Sequence, residues 1–444
     1  MRHTPNGPRR MRGRTTRAIA TGAAVALSAG LLAACGSDDG GSNNSNGGDG
    51  PSDVTLKVGV FGQMDFTELY DQYMDENPHV TIEQNSIQEN RDYYQALITR
   101  LPTGSGLNDI QALEVDNIYE MANDLGEFWV DLNETDADLS HFVDWKVGQA
   151  TSADGRTIGF GTDIGPMAIC YRTDRFEEAG LPTDRDEVGA LWEGGWEEYI
   201  EVGQDFMAGT PGDVAFVDSS GGMFNAVLNG YSEKMYNAEG EVIYQDSEAV
   251  QTAWDLSVQV AEAEMSAQQD QFSEEWNRSF ANGDFATVSC PAWMLGYIQD
   301  KSGADGEGNW DVTSAPLPSN WGGSFLAVPE ASQHQEEAVK LAAWLTAPEQ
   351  QTALFATQGN FPSSATAQES PEVADTTHEY FNAAPIGQIF SDAAQGIPMS
   401  TIGARDQTIR EALTDGLVQI EQQGESADDA WDNTVRSIEN ALAD

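Results

Sequence analysis

Residues 158–182 read IGFGTDIGPMAICYRTDRFEEAGLP. With the preceding GRT the stretch holds two strand-like runs split by a glycine-rich bend. Upstream, TLKVGVF (Thr55–Phe61) alternates β-branched and small residues and stops at Gly62, a strand followed by a loop. DFTELYDQYMDENP then spaces Phe66, Leu69, Tyr70, Tyr73 and Met74 as one helical face, stopped by Asn77-Pro78. HVTIEQ reads as a strand, RDYYQALITRL as a helix, DIQALEV as a strand, and NIYEMANDLG as a helix closed by glycine. Strands alternating with helices predict an α/β lobe on a largely parallel sheet.

Downstream of the bend, WEEYIEVGQDFMAG is helical, DVAFVD a strand and MFNAVLNGY a helix, and a long helical stretch covers about 247–265. FATVSCP, WDVTSAPLP and GGSFLAVP are strands. The remainder is mostly helical, from HQEEAVKLAAWLTA to the final pair around TIREALTDGLVQIEQQ and ADDAWDNTVRSIENAL. The sequence holds no internal repeat.

The first 34 residues carry six arginines and no acid, then an apolar run of small residues from Ala18 to Ala34. That run is too short and too poor in large side chains for a membrane span and reads as an export signal. It ends at LLAAC, where Cys35 sits on a seam between apolar leader and a Gly/Ser/Asn/Asp tract. Residues 36–53 have too little apolar surface to fold and read as a flexible tether. L-A-A-C resembles the bacterial lipobox, which implies that Cys35 becomes a lipidated N-terminus. Several acyl chains, at about 0.8 kcal/mol per buried CH₂, anchor a protein stably. The other reading of Cys35 is an incidental residue near an ordinary cleavage site.

From Val54 about 390 residues remain, enough for two domains with their own cores. The chain has 21 basic and 73 acidic residues, and without the leader arginines 15 basic residues face those 73, a net charge of −58. That balance argues against nucleic acid and polyanionic ligands by repulsion. Surface solvation accounts for the acidity, and a salt-adapted host is one reason for its extent. Cys170 and Cys290 remain in the body, in MAICY and ATVSC. In an exported protein one leftover pair reads as a disulfide, with two buried free thiols as the alternative.

On IGFGTDIGPMAICYRTDRFEEAGLP, NGDFATVSCPAW, GGSFLAVPEASQHQEEAVKLAAWLT and GNFPSSATAQESPEV, the chain resembles the extracellular solute-binding proteins of bacterial ABC importers. Within these it is similar to the carbohydrate-binding, maltose-binding-protein-like cluster, and most to actinobacterial cello-oligosaccharide binders. The resemblance covers the chain from Val54. It implies a two-lobed, periplasmic-binding-protein-like α/β fold with three hinge crossings and a ligand cleft between the lobes. Residues 54–165 and 325–375 would form lobe one, and 166–324 with 376–444 lobe two, after a signal peptide (1–34) and a lipidated tether (35–53). The crossings fall near GTDIGP, WGGSF and PEVADT; glycines at the first two absorb hinge rotation.

A sugar presents hydroxyl edges and flat C–H faces, so its site needs aromatic platforms with paired donors and acceptors. In open α/β sheets such groups stand on loops at the carboxyl ends of strands. Gln63 follows the first strand, Glu89 and Asn90 the second and Asp116 the third, where the family commonly keeps an acidic contact. For these four the competing role is helix capping. Asp163 sits in the first crossing, and Asp218 and Ser219 end the strand DVAFVD. Trp293 matches the family's sugar-stacking position, and Trp321 precedes the hinge glycines Gly322 and Gly323, which let backbone approach a ligand. Trp276 shares helical spacing with Phe272 and Phe280, so core packing competes there. Arg405 would fork onto hydroxyls or pair with an acid.

The implied function is a membrane-anchored extracytoplasmic binder that captures a cello-oligosaccharide by lobe closure and delivers it to ABC permease subunits. The same fold holding a xylo- or malto-oligosaccharide or a polyol is the alternative, and a lipid-anchored glycan-acting enzyme a remote one. Glycoside hydrolysis needs two placed carboxylates, which 73 acids make uninformative. No Gly-x-Ser-x-Gly, Walker A or zinc motif occurs, and all five histidines are isolated. A monomer without metal or cofactor, and without nucleic acid, is expected.

Overall fold

A computed structural model describes residues 52–62, 64–210, 212 and 214–443. The leader, Cys35 with its tether, and Gln63 lie outside the described residues. β1 (Val54–Phe61) buries Leu56, Val58 and Val60 and exposes Thr55 and Lys57. The buried positions join Leu69, Tyr70 and Tyr73 of the helix Thr67–Glu76 in one core cluster, as the helical spacing predicts. β2 (Val80–Ile87) and β3 (Ile110–Glu114) flank β1 in parallel, each reached through a helix. β4 (Gly159–Gly161) is the last strand before the chain leaves this sheet.

Beyond the bend, β5 (Met167–Arg172), β6 (Ala215–Val217), β7 (Phe285–Pro291) and β8 (Trp310–Ser314) form a second sheet in the order β6-β7-β5-β8. β9 (Ser324–Ala327) returns to the first, whose order is β2-β1-β3-β9-β4. The two sheets are the cores of two lobes. The helices Asp406–Gln423 and Ala427–Ala443 pack on the second, where Leu413, Leu417 and Ile438 join Trp254 and Phe224.

The expectation of a largely parallel sheet holds: β1, β2, β3 and β4 run one way, and one strand in each sheet opposes the others. β9 runs antiparallel to β3 and β4, and β5 runs antiparallel to β7 and β8. A strand arriving from the other lobe enters its sheet at the hinge end, so it runs against strands that finish there. Cys170 and Cys290 stand on the adjacent strands β5 and β7 and are disulfide-bonded, with Cα atoms 5.7 Å apart.

Two crossings, Thr162–Pro166 and the segment 315–323, lie side by side. Met167 N donates to Ser319 O (3.0 Å), Trp321 N to Gly165 O (2.8 Å) and Gly165 N to Asn320 Oδ1 (2.8 Å). A Cβ on Gly165 would fall 1.8 Å from the Trp321 carbonyl oxygen, so only glycine allows this approach. The third crossing follows the short helix Pro371–Ala374; beyond it the turn Glu379–Phe381 packs on β8 and the helix Ile386–Gln395 on β5 and β8. No helix among the described residues is long and apolar enough to cross a membrane.

Candidate functional site

A narrow cavity of about 30 Å³ lies where the two lobes face each other beside the crossings. Val115, Asp116, Trp145 and Gln149 line it from the first lobe, Asn229, Lys234 and Arg410 from the second, and Asn320 and Gly322 from a crossing.

Asp116 lies in the first turn of the helix after β3 but does not cap it; Glu114 Oε2 does so, accepting the Asp116 N–H at 2.6 Å. The Asp116 carboxylate is thereby free to reach across the cavity, where Arg410 holds it through two contacts of 2.9 Å. Burial, with Asp116 alongside, pushes Glu114 up to about 8. Burial likewise lowers Lys234 to about 8; the residue is 5 % exposed and its ammonium bonds Asn229 Oδ1 at 3.2 Å. Among the described residues, Gln149 Oε1 and Arg410 Nε are buried without a hydrogen-bond partner.

The aromatic side of the site is continuous with this polar wall. The Trp293 indole N–H donates to the Trp321 carbonyl at 3.1 Å, and the two rings meet edge-on with centroids 5.5 Å apart. A Cβ on Gly322 would lie 3.2 Å from Trp293 Nε1, so the ring borders the cavity wall at that glycine. Trp145, Trp293, Tyr297 and Trp321, all half-buried, pack on one core cluster. Phe272 completes the group, stacked on Trp293 (6.4 Å, 24°) and edge-on to Trp321 and Tyr297. Phe272 is 42 % exposed and has φ +68°, a left-handed conformation costly for a large side chain. Strain of this kind gathers at functional sites. Exposed aromatic faces beside paired donors and acceptors can stack a pyranose and bind its edge hydroxyls.

The other expected residues separate into groups. Glu89 is the exposed N-cap of the helix Asn90–Arg100, yet its side chain makes no cap bond; its charge raises Tyr297, after burial and Asp300. Asn90 opens the same helix. Gly322 (φ +82°) and Gly323 (φ +97°) carry conformations that favour glycine, and Gly323 O accepts Val115 N–H at 3.1 Å. Asp163, expected to face the cleft, instead ties the crossings, accepting Thr162 Oγ1 (2.6 Å) and Ser324 N (3.0 Å). Burial raises its carboxyl.

Four further expected residues take other roles. Trp276 is fully buried, with its N–H given to Asp218 Oδ2 at 2.9 Å, so no ring face is offered to a ligand. Asp218, 2 % exposed, also accepts Gln271 Nε2 at 2.8 Å, and burial pushes it up to about 6. It supports the Trp276 core from behind. Ser219 Oγ caps the helix Ser220–Leu228 through Gly222 N at 2.9 Å. Arg405 is exposed, and the arginine in the cavity is Arg410, five residues on. The helix Asp406–Gln423 begins just after Arg405, and its first inward turn carries Arg410. Trp145, Gln149, Asn229, Lys234, Phe272, Tyr297 and Asn320 escaped the sequence reading; WNRSF next to QFSEE gave a weak aromatic signal for Phe272 only. Among the described residues no cluster of three or more His, Cys, Asp or Glu is placed to hold a metal ion.

A family model described as bacterial extracellular solute-binding protein matches residues 68–382. A lactose-binding protein of Rhizobium radiobacter is 28 % identical over 212 residues, 46 % of this chain and 48 % of that protein, so the match spans about half of that relative. A crystal structure of an extracellular solute-binding protein of family 1 superposes with TM-score 0.78 at 39 % identity, over 87 % of this chain and 99 % of that one. Two further structures share the fold at 17 % identity. A transporter-associated binding protein of Bifidobacterium animalis subsp. lactis in complex with β-1,6-galactobiose has TM-score 0.73, covering 87 % of this chain and 97 % of its own. A binding protein of Bifidobacterium longum in complex with lacto-N-biose has TM-score 0.71, covering 89 % and 98 %.

Proposed function

Because the chain belongs to the bacterial extracellular solute-binding proteins, we propose that it captures a neutral oligosaccharide between its lobes and hands it to an ABC permease. The observation that carries this is a polar set (Asp116, Arg410, Lys234, Asn229, Asn320) and Trp145 lining one interlobe cavity, with the aromatic group Phe272, Trp293 and Trp321 beside its wall at Gly322. Charge favours a neutral ligand. Arg410 and Lys234 are offset by Asp116 and the nearby Asp406, while Glu114 at about 8 is largely protonated near neutral pH.

A β-linked disaccharide such as cellobiose is the favoured ligand. Lactose, in the name of one relative, has the same β-1,4 link and differs in the configuration of one hydroxyl. A xylo- or malto-oligosaccharide or a polyol is the second reading. Glu89, Asn90, Gly322 and Gly323 belong to the site in this proposal, and Gln63 is kept among its proposed ligand contacts. Lobe one takes 54–165 and 325–375, lobe two 166–324 and 376–444. Cys35 carries the lipid that holds the monomeric body at the outer membrane face. Binding without turnover is the mode, since a ligand contacted by both lobes is held only in the closed state.

Titration calorimetry against cellobiose, lactose, xylobiose and maltose, with each sugar recovered and analysed afterwards, tests the reading. Saturable binding with intact sugar supports it. Cleavage of the sugar, or no heat with any member, contradicts it.

A further inference from the structure

Gly59 sits inside β1 without a left-handed φ, so backbone conformation does not ask for glycine there. Space does: a Cβ would fall 2.3 Å from Asn108 Nδ2 and 2.5 Å from Gln111 Oε1. A glycine in a strand interior weakens the strand and often marks a close approach to its backbone. Here the approaching groups are two carboxamides, and both line a second cavity, of about 450 Å³, in the first lobe. It opens on the side of the first sheet that carries Lys57 and Gly59, opposite Leu56, Val58 and Val60. The helix Asn90–Arg100 supplies Tyr93, Leu97 and Arg100 to its wall. No residue lines both this cavity and the one between the lobes. Small-molecule pockets commonly span about 300–1,000 Å³.

The carboxamides form a one-way chain. Asn85 Nδ2 donates to Asn108 Oδ1 (2.8 Å) and Asn108 Nδ2 to Gln111 Oε1 (3.4 Å), which also accepts the Tyr93 hydroxyl (2.8 Å). Among the described residues, the two ends of the chain, Asn85 Oδ1 and Gln111 Nε2, have no hydrogen-bond partner. Gln111 is 2 % exposed and lines the pocket. A polar group so withdrawn from water is costly to leave unmatched, which favours an occupant that accepts from it. An open acceptor and an open donor together suit hydroxyl groups, which act as both.

The mouth is cationic. Lys57 and Arg100 are exposed and line it, and among the described residues neither has a carboxylate within 4.0 Å. The Arg100 side chain runs along Gly106, where a Cβ would lie 3.7 Å from Arg100 Cδ. Two acids stand near without lining the pocket. Asp109 accepts the Lys57 N–H (2.9 Å) and Ser332 Oγ (2.7 Å), and Glu83 is level with Lys57 on β2. In a body with 15 basic residues against 73 acidic ones, two such cations at one mouth reverse the local charge.

We propose that this pocket is a second ligand site, outside the interlobe cleft, for a small polyhydroxy carboxylate of the aldonic or uronic acid class. The carboxylate pairs with Arg100 and Lys57, and the hydroxyls meet the open ends of the amide chain. A neutral sugar lacks the first set of contacts and acetate the second.

Titration calorimetry of the mature protein with gluconate, glucuronate, glucose and acetate tests the site in wild type, Arg100→Gln, Lys57→Gln and Gln111→Leu. At least one of the two hydroxy acids should bind saturably, about tenfold or more tighter than glucose or acetate. Arg100→Gln and Lys57→Gln change exposed side chains and should each lower that affinity about tenfold, the factor for a lost contact of about 1.4 kcal/mol. Titrations of these two variants with cellobiose should match wild type, because neither residue lines the interlobe cavity. Gln111→Leu should weaken the hydroxy acids and leave acetate unchanged; where it upsets folding, the two exposed variants decide alone. No saturable heat with either hydroxy acid, or glucose or acetate binding as tightly as they do, overturns the site. So does hydroxy-acid binding that survives Arg100→Gln combined with Lys57→Gln.

Discussion

Trp293 and Trp276 sit 17 positions apart in sequence and share Phe272 as a neighbour, yet their truncation should have opposite consequences. Trp293 is half-buried with one N–H bonded to a backbone carbonyl beside the cavity. Its replacement by Ala removes a platform worth about 1.5–3 kcal/mol, the usual value of burying a large apolar side chain. That is roughly a 10- to 150-fold loss of affinity. Its stability cost is small, because solvent can reach the Trp321 carbonyl left behind. Trp276 is fully buried and donates to buried Asp218. Truncation there opens a cavity costing about 3–5 kcal/mol, and Asp218 loses a donor at a further cost of about 1–3 kcal/mol. At about 2–4 °C per kcal/mol for a lobe-sized domain, the melting temperature should fall by roughly 10 °C or more. Differential scanning fluorimetry of the ligand-free variants and calorimetry on the folded fractions separate the two. If Trp293→Ala melts as early as Trp276→Ala but binds sugar normally when folded, Trp293 is structural and the site is misplaced.

Three further outcomes concern other parts of the molecule. Cys170→Ser with Cys290→Ser opens a covalent loop of 120 residues, which in the chain-entropy model costs about 5 kcal/mol; an unchanged melting temperature would contradict that contribution. Asp218 has a folded-state pKa raised by burial from 3.8 to about 6, so its neutral form is favoured by folding, and stability present below pH 3.8 is lost as pH rises through 6. Asp218→Asn should accordingly gain on wild type by up to roughly 3 kcal/mol above pH 6, with the gain vanishing near pH 3; denaturant melts across that range showing a constant difference would refute the cause. Cys35→Ala should leave unprocessed precursor or release the protein to the medium, and full membrane retention of normally processed variant would remove the lipid anchor.

The sheets and their order of helices were legible in sequence because alternation and helical spacing are local properties. TLKVGVF became β1 and FATVSCP became β7 within a residue or two. The reversed direction of β9 and β5 was not legible, since they owe it to the crossings that deliver them. Asp116, which lines the cavity, was singled out because it follows a strand end, and Trp293, which stands beside it, because it matches the family's stacking position. Lys234, Arg410 and Trp145 were missed for the converse reason: helices and loops distant in sequence bring them to the cavity, and nothing in their neighbourhoods distinguishes them. Arg405 in IGARDQ drew attention by its glycine-bounded setting, but the helix starts there and turns Arg410 inward instead. Trp276 and Trp293 look alike as aromatic residues near acids. Only the buried bond to Asp218 separates core from platform.

Hydrogen–deuterium exchange with and without the tightest-binding neutral disaccharide tests the central claim, that one sugar is gripped by both lobes at once. Protection should rise together at the start of the helix Val115–Asn123, at the crossing around Trp321–Gly323, around Trp293 and at the first turns of the helix Asp406–Gln423. Protection confined to one lobe, or lying away from the cavity at saturating sugar, would contradict the account.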